Sequence, residues 1–292
     1  MEKKSVFKGY FYGCISAISY GMIPLFTLPL MQEGMTYPSI LFYRYVFGFL
    51  SLLVLMLLKR DSFKLYWREV PVLLVMAVLF ALSSIYLFKS YTYMAAGIAS
   101  TILFMYPIFV AVIMSLFYKE KINWVTVVSI LLAFVGISML YKGDGEETLS
   151  LMGIACVVFS ALAYAIYIVG IEKSRLKVLN SVRLTFYVVL IGTLMFWAQV
   201  DFGSSLQPLP DWGYLANVLF LGIFPTTVSL VTLVLSAHHI GSTAAAILGA
   251  LEPVTAVFFG VLVFHEPFTL NLMMGMLLVI SAVLLIVWKK KQ

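Results

Sequence analysis

Ten long apolar runs constrain the fold of this chain more than any other feature of its sequence. Short segments that carry most of the charged residues separate these runs. A helix of about 20 residues crosses the hydrocarbon core of a bilayer, which is about 30 Å thick. Because lipid offers the backbone no hydrogen-bond partners, runs of this length are predicted to be transmembrane α-helices. The runs cover residues 8–30, 37–58, 70–91, 95–117, 123–141, 150–171, 180–200, 212–235, 242–264 and 269–288.

The composition agrees with a membrane protein and excludes an ordinary soluble one. Apolar residues make up 63% of the 292 residues and charged residues 11%, against about 45–50% and about 25% in soluble domains. The net charge of +6 comes from the charged clusters, and no basic stripe alternates with polar recognition residues. We therefore expect a lipid bilayer as a partner and no nucleic acid. Cys14 and Cys156 lie inside apolar runs, where free cysteines pack like small apolar residues.

The positions of Lys and Arg predict the orientation of the chain. If the N-terminus is cytoplasmic, all 19 of these residues except Arg44, Lys89 and Lys142 belong to the cytoplasmic side. An excess of positive charge on that side is typical of membrane proteins. Ten spans return the chain to the side on which it began. The sequence thus predicts a multi-pass protein with both termini in the cytoplasm.

The two halves of the chain resemble each other. Residues 95–122 align with residues 241–268 when Pro107 is placed on Pro253, an offset of 146 residues, which also aligns Ala99 with Ala245 and Glu120 with Glu266. A second match at an offset of 144 places Gly9, Ser16, Ala17 and Tyr20 on Gly153, Ser160, Ala161 and Tyr164. We interpret this as duplication of a five-helix unit, residues 1–146 and 147–292. Since five is odd, the second copy is inverted, an arrangement found in transporters.

The paired blocks also resemble a known family. Each block has small residues, a proline, an apolar run and a glutamate, and the blocks end in YKEKI and in LEPVTAVFFGVLVFHEPF. In this pattern the chain is similar over its whole length to the EamA family of the drug/metabolite transporter superfamily. The first block departs from the pattern, with Tyr106 where the second has Glu252. The resemblance implies ten helices and solute movement, mostly outward, across the bacterial inner membrane, which is a plasma membrane.

Glu252 is the one acidic residue in the interior of a run. It lies about 15 Å along its helix, near the midplane, where a charge costs roughly 2.5–3.5 kcal/mol or more. Two interpretations stay open. Glu252 is a protonatable or substrate-facing carboxylate, with Pro253 freeing a backbone carbonyl beside it. Alternatively, it forms a structural ion pair or a neutral hydrogen bond between helices.

Arg44 and Lys89 are the basic candidates. Arg44, about 10 Å into the second helix, either holds a substrate carboxylate or phosphate or pairs with Glu252 or a loop acid. Lys89 is predicted to extend to the outer interface. Glu120 and Glu266 end two repeat-related helices, and we expect them to fix the turns that follow. Gly and Ala residues in 95–101 and 241–250 permit close helix packing, which suits a gate, and Pro107 and Pro253 are further structural or gating candidates.

Several tyrosines and serines fall at mid-span depth. A buried tyrosine hydroxyl needs a hydrogen-bond partner, which either a polar cavity or a neighbouring helix supplies. A cavity with these side chains, one Arg and one Glu would suit a small amphiphilic solute such as an amino acid. The candidates are Tyr20, Tyr86, Tyr106, Tyr164, Ser16, Ser83 and Ser160.

A secondary transporter that exports small metabolites by alternating access is the leading hypothesis. Proton-coupled drug efflux and a scaffold or lipid-handling protein without solute transport are the alternatives. An enzyme is not expected, because HEPFT lacks the second histidine of the zinc motif H-E-x-x-H and no phosphate-binding GK[ST] loop occurs. We expect no metal and no cofactor. The expected partners are a small-molecule substrate and the bilayer. Whether protons are also partners, and whether the protein is a monomer or a homodimer, stays open.

Overall fold

The described part of the chain is helical, without a β-strand. The computed structural model describes residues 3–93, 99, 102–121, 123–140, 150–263 and 270–289. The first half contains α1 (Lys3–Tyr20), α2 (Ile23–Gln32), α3 (Tyr37–Leu58), α4 (Val70–Ser90), α5 (Tyr106–Tyr118) and α6 (Trp124–Leu140). The second half contains α7 (Leu151–Lys173), α8 (Ser181–Gln199), α9 (Trp212–Leu221), α10 (Ser229–Ile240), α11 (Ser242–Leu248), α12 (Leu251–Val263) and α13 (Leu270–Lys289). A π-helical segment, Gly222–Val228, joins α9 to α10, and two short 3-10 helices lie at Arg175–Val178 and Asp201–Gly203.

Seven helical segments are long and apolar enough to cross a membrane, which confirms the predicted all-α membrane class. They are Val6–Gln32, Tyr37–Leu58, Val70–Ser90, Leu151–Lys173, Ser181–Gln199, Trp212–Ile240 and Ser242–Val263. Three further apolar helices are shorter: Tyr106–Tyr118, Trp124–Gly136 and Met273–Ala282. Because these three fall below the length of about 20 residues that a span requires, the count of ten stays a prediction.

One helix ends well beyond its predicted limit. The eighth apolar run stops at residue 235, but α10 continues to Ile240. The last turn contains His238 and His239, so hydrophobicity alone places the boundary too early. The helix stops at Gly241, which has a φ of +87°, a conformation that glycine adopts without steric penalty.

The outer surface is apolar. Large side chains such as Trp67, Phe117 and Trp212 are more than three-quarters exposed, while the fully buried side chains include Arg44 and several tyrosines. A soluble monomer rarely exposes extensive apolar patches. Exposed apolar side chains and buried polar ones fit a protein that is surrounded by lipid.

Four helix pairs have the most extensive contacts. They are α6 with α13, α4 with α7, α1 with α10, and α3 with α8. Glycines permit the close approaches: a Cβ at Gly136 of α6 would lie 2.8 Å from the carbonyl oxygen of Gly275 in α13. Small residues at such contacts are the usual means by which membrane helices pack.

Within the described residues, three of the apolar runs are interrupted. The first is divided at Gly21–Met22, the segment before α5 turns at Phe104–Met105, and the ninth is divided at Gly249–Ala250. A proline follows each interruption within the first turn of the next helix, at Pro24, Pro107 and Pro253. Proline lacks an N–H and is tolerated in the first turn of a helix, where that N–H has no partner inside the helix. These prolines therefore begin new helices and do not kink continuous ones.

Candidate functional site

The interruptions bring polar groups together at one cleft. The hydroxyl of Tyr106, at the first residue of α5, donates a hydrogen bond of 3.3 Å to Oε1 of Glu252, at the second residue of α12. A recess opens beside this pair. Its lining includes Tyr20, Gly21, Leu87, Tyr106, Glu252 and Pro253. We call it the central cleft. Two helix starts, one from each half of the chain, thus meet at its wall.

A layer of tyrosines borders the central cleft. The ring of Tyr164 stacks on Tyr20, with centroids 6.1 Å apart, and meets Tyr106 edge-on at 4.9 Å. On its other side Tyr164 stacks on Tyr167 at 6.3 Å. Tyr20 and Tyr106 line the cleft, whereas Tyr164 and Tyr167 are buried behind them. The layer joins α1, α5 and α7 through offset and edge-on contacts, which aromatic rings favour.

Arg44 lies on α3, next to this layer, and is fully buried. Its Nε donates to Oγ1 of Thr226 in the π-helical segment, at 2.8 Å. Its Cζ lies 5.7 Å from the ring centre of Tyr20 and 5.9 Å from that of Tyr45. The hydroxyl of Tyr45 is hydrogen bonded to Ser84 at 2.9 Å. Arg44 and Glu252 form no ion pair, although both lie within the described residues.

A second charged cluster lies on the other side of the break in the ninth apolar run. The carboxylate of Glu172, at the end of α7, accepts a hydrogen bond from the backbone N–H of Ser242, the first residue of α11. Nζ of Lys173 lies 2.7 Å from Oε1 of the same carboxylate. Glu172 is largely buried, at 8% exposure. This contact fixes α7 to the start of α11, the short helix that leads to Glu252.

Comparison with known proteins identifies the family. The model of the EamA-like transporter family matches residues 7–142 and 151–288. The chain belongs to the EamA-like transporter family. Membership and the apolar helices together make it a multi-pass membrane protein, and they point to a transporter and not to an enzyme.

Proteins similar to this chain occur in bacteria and archaea. The uncharacterized transporter YoaV of Bacillus subtilis is 25% identical over 276 residues, which cover 91% of this chain and 93% of YoaV. An uncharacterized transporter of Archaeoglobus fulgidus is 26% identical over 230 residues, or 78% of this chain and 81% of that protein. One solved crystal structure superposes with a TM-score of 0.80 at 15% sequence identity and covers 95% of each chain. At that identity the likeness concerns the fold alone.

The structure of this EamA protein groups some of the sequence candidates and separates others. Tyr20, Tyr106, Tyr164 and Glu252 come together at the cleft, with Arg44 beside them. Tyr86 lies elsewhere: its ring packs on Phe159 at 4.6 Å, and Phe159 is 44% exposed on the outer surface.

The three serine candidates join helices. Ser16 contacts Ser229 across α1 and the start of α10, with their hydroxyl oxygens 3.3 Å apart. Ser83 and Ser160 join α4 and α7 at 3.0 Å. Both pairs lie outside the lining of the central cleft. The sequence left open whether such hydroxyls bond within a polar cavity or to a neighbouring helix, and these serines bond to neighbouring helices.

The remaining candidates lie at helix ends. Lys89 is half-buried in the last turn of α4. Glu120 is exposed just after α5, where Lys119 adopts a left-handed φ of +55°. Glu266 lies outside the described residues. The positions of Lys89 and Glu120 agree with interface and turn roles, which stay predictions.

Sequence reasoning missed Tyr45, Tyr167, Thr226 and Glu172. Tyr167 has a recognisable signal, because residues three apart share a helix face and Tyr164 was already a candidate. Thr226 follows Pro225 in an apolar run, so it too was detectable as a polar residue beside a distorted turn. Glu172 lies one residue beyond the predicted end of its run, at residue 171, so it was not among the charges considered within the runs. Tyr45 carries no local signal, since its importance comes from packing against α4 and α8.

Removal of the Ser83–Ser160 pair should affect stability and leave transport intact. We expect Ser83→Ala and Ser160→Ala each to lower the free energy of unfolding, with a coupling of about 0.6 kcal/mol in a double-mutant cycle, as is usual for hydrogen bonds between membrane helices. Thermal unfolding in detergent measures the coupling, and solute export provides the control. Loss of export in stably folded variants would contradict the structural assignment.

Proposed function

We propose that this EamA-family protein is a secondary transporter that exports small amphiphilic metabolites, such as amino acids, across the bacterial inner membrane. The observation that carries the proposal is the contact between Tyr106 and Glu252 at the wall of the central cleft. Transporters with inverted repeats bind their substrates near the midplane, at interrupted helices. A mixed lining of tyrosine, one carboxyl group and apolar side chains suits a small solute with both polar and apolar parts.

Two observations support the arrangement in two inverted five-helix repeats, residues 1–146 and 147–292. The family model matches once in each half, at residues 7–142 and 151–288. In addition, the four main helix pairs are conserved when the halves are exchanged. Exchange converts the packing of α1 on α10 into that of α7 on α4, and it returns the pairs α3–α8 and α6–α13 to themselves. We infer ten spans with both termini cytoplasmic.

The proposed mechanism is alternating access across the tyrosine layer. On one side of the layer the central cleft is open to its surroundings. On the other side α11 is held against α7 by the bond between Glu172 and Ser242. Exchange of the conformations of the two halves would close the cleft and release this second contact. Tyr20 and Tyr106 would then face the opposite compartment together with Glu252.

Proton coupling and drug efflux form a second candidate mechanism. Glu252 is the carboxyl group that lines the central cleft among the described residues. A carboxyl group at this depth that alternates between two compartments can carry a proton in one direction. The apolar and aromatic lining, with Leu103, Phe104 and Ala256, would also accept a larger apolar drug. A scaffold or lipid-handling protein has less need of this polar wall. Both monomer and homodimer fit the proposal.

A comparison of growth media tests the export function. Cells that over-express the protein are compared with cells that carry the empty vector and cells that express Glu252→Gln at equal level. We expect one chemical class of small metabolite to accumulate in the medium of the wild type alone. Identical media in all three cultures would contradict solute export.

A further inference from the structure

The guanidinium of Arg44 has two donor groups that the protein leaves without acceptors. The side chain is fully buried, and its Nε is bonded to Thr226. Neither Nη1 nor Nη2 has a hydrogen-bond acceptor among the described residues. The neighbouring groups are the rings of Tyr20 and Tyr45, which stabilise a cation through their faces. These rings balance part of the charge, and the Tyr20 hydroxyl also interacts with the guanidinium, but neither terminal nitrogen has an acceptor in hydrogen-bond geometry among the described residues.

Such an arrangement is unfavourable unless something else binds there. Most buried polar groups in proteins have a hydrogen-bond partner, and an unpaired buried charge destabilises the fold strongly. With Nε occupied, the free donors are the two terminal nitrogens, which lie side by side in one plane. This fork matches the two oxygens of a carboxylate, which it binds through two parallel hydrogen bonds of about 2.7–2.9 Å.

Tyr20 separates Arg44 from the central cleft. One face of its ring lies against the guanidinium, and the residue also lines the cleft. Tyr20 is the last residue of α1, directly before the break at Gly21–Met22. A shift of α1 relative to α2 at this break would move the ring and connect Arg44 to the cleft. Tyr20 therefore contacts the guanidinium of Arg44 with its ring and shares the lining of the cleft with Glu252.

We propose that Arg44 is the carboxylate-binding subsite of the transport cleft, and that the substrates are small acids with an apolar body. The carboxylate would bind Nη1 and Nη2, while the apolar part would lie against Leu87, Leu103 and Phe104 of the cleft. A single negative charge balances the single guanidinium, whereas a phosphate dianion would leave excess charge buried beside Glu252. This inference rests on the proposed function and narrows its substrate class to apolar carboxylates, including apolar amino acids.

Matched acids and amides test the subsite. The purified full chain is titrated in detergent with L-phenylalanine and L-leucine, and in parallel with L-phenylalaninamide and L-leucinamide, while the melting temperature is recorded. A ligand that binds the folded state raises this temperature. We expect the acids to raise it and the amides to leave it unchanged. In Arg44→Lys the half-saturating acid concentration should increase by about tenfold or more, the loss expected for a charge-assisted hydrogen bond.

Arg68→Lys is the matched control, because it makes the same chemical change at an exposed position. The comparison of acids with amides needs no variant, so it decides the question even if Arg44→Lys folds poorly. Equal effects of acids and amides, no effect of either, or unchanged acid binding in a folded Arg44→Lys would overturn the subsite. If a solute without a carboxylate is exported, the subsite is wrong and export stands. If acids bind through Arg44 but no solute is exported, the proposed function is wrong and the subsite stands.

Discussion

Replacing Glu252 by Gln is expected to abolish transport driven by a pH gradient. In proteoliposomes that contain the wild type, an imposed gradient should accelerate movement of the solute identified in the growth medium. The amide keeps the size and hydrogen-bonding capacity of the side chain but carries no exchangeable acidic proton. The initial rate with the gradient should therefore fall to the rate that the same vesicles show without a gradient.

Glu120→Gln is the control for this prediction. It makes the same substitution at an exposed turn after α5, and it should retain the acceleration. Two results would contradict proton coupling: a wild type that ignores the gradient, or a Glu252→Gln variant that still responds to it. Neither result contradicts transport without proton coupling, because solute movement in the absence of a gradient is measured separately in the same vesicles.

Gly249→Ala should disrupt the Tyr106–Glu252 contact by displacing the tyrosine. An added Cβ at Gly249 would overlap the hydroxyl of Tyr106, so the tyrosine must move away from the carboxyl group. Overpacking of this kind costs about 1–3 kcal/mol. We expect a lower melting temperature and a loss of export comparable to that of Glu252→Gln.

A double-mutant cycle with Tyr106→Phe identifies the cause. Since phenylalanine lacks the hydroxyl, Gly249→Ala should be less destabilising in the Tyr106→Phe background, with a coupling of about 0.5–3 kcal/mol, as found for residues in contact. Equal destabilisation in both backgrounds would show that the alanine acts elsewhere, for example on the turn between α11 and α12.

The sequence predicted the helical membrane class because that prediction needs only the length and polarity of each run. It placed most helix limits within a few residues. It failed at the end of α10, where His238 and His239 extend the helix without being apolar. The interruptions were less visible, because the chain stays apolar across Gly21–Met22, Phe104–Met105 and Gly249–Ala250. Helix breaks depend on backbone geometry and on the proline that follows, which hydrophobicity does not record.

The candidate site was predictable in part. Depth along a helix and repeat symmetry were sufficient to select Glu252, Tyr20, Tyr106 and Tyr164. Which way a side chain faces depends on neighbouring helices, so the same reasoning also selected Tyr86, which is half-buried against Phe159 and outside the lining of the cleft. The bonding of Arg44 to Thr226 joins residues 182 positions apart. Sequence gives no distance between such residues without knowledge of how the helices pack.

The most direct test of alternating access is the labelling of single cysteines from the two sides of the membrane. In a chain with Cys14 and Cys156 replaced by alanine, Ala256→Cys reports on the central cleft. Ala245→Cys reports on α11, where Ala245 is buried in this structure and would become accessible when α11 separates from α7. A membrane-impermeant maleimide is applied to right-side-out and to inside-out vesicles. We predict that Ala256→Cys reacts from the side opposite the termini and that Ala245→Cys reacts from the side of the termini. A substrate present during labelling should shift the two labelling rates in opposite directions. Labelling of both positions from one side, or no labelling of Ala245→Cys from either, would contradict the account.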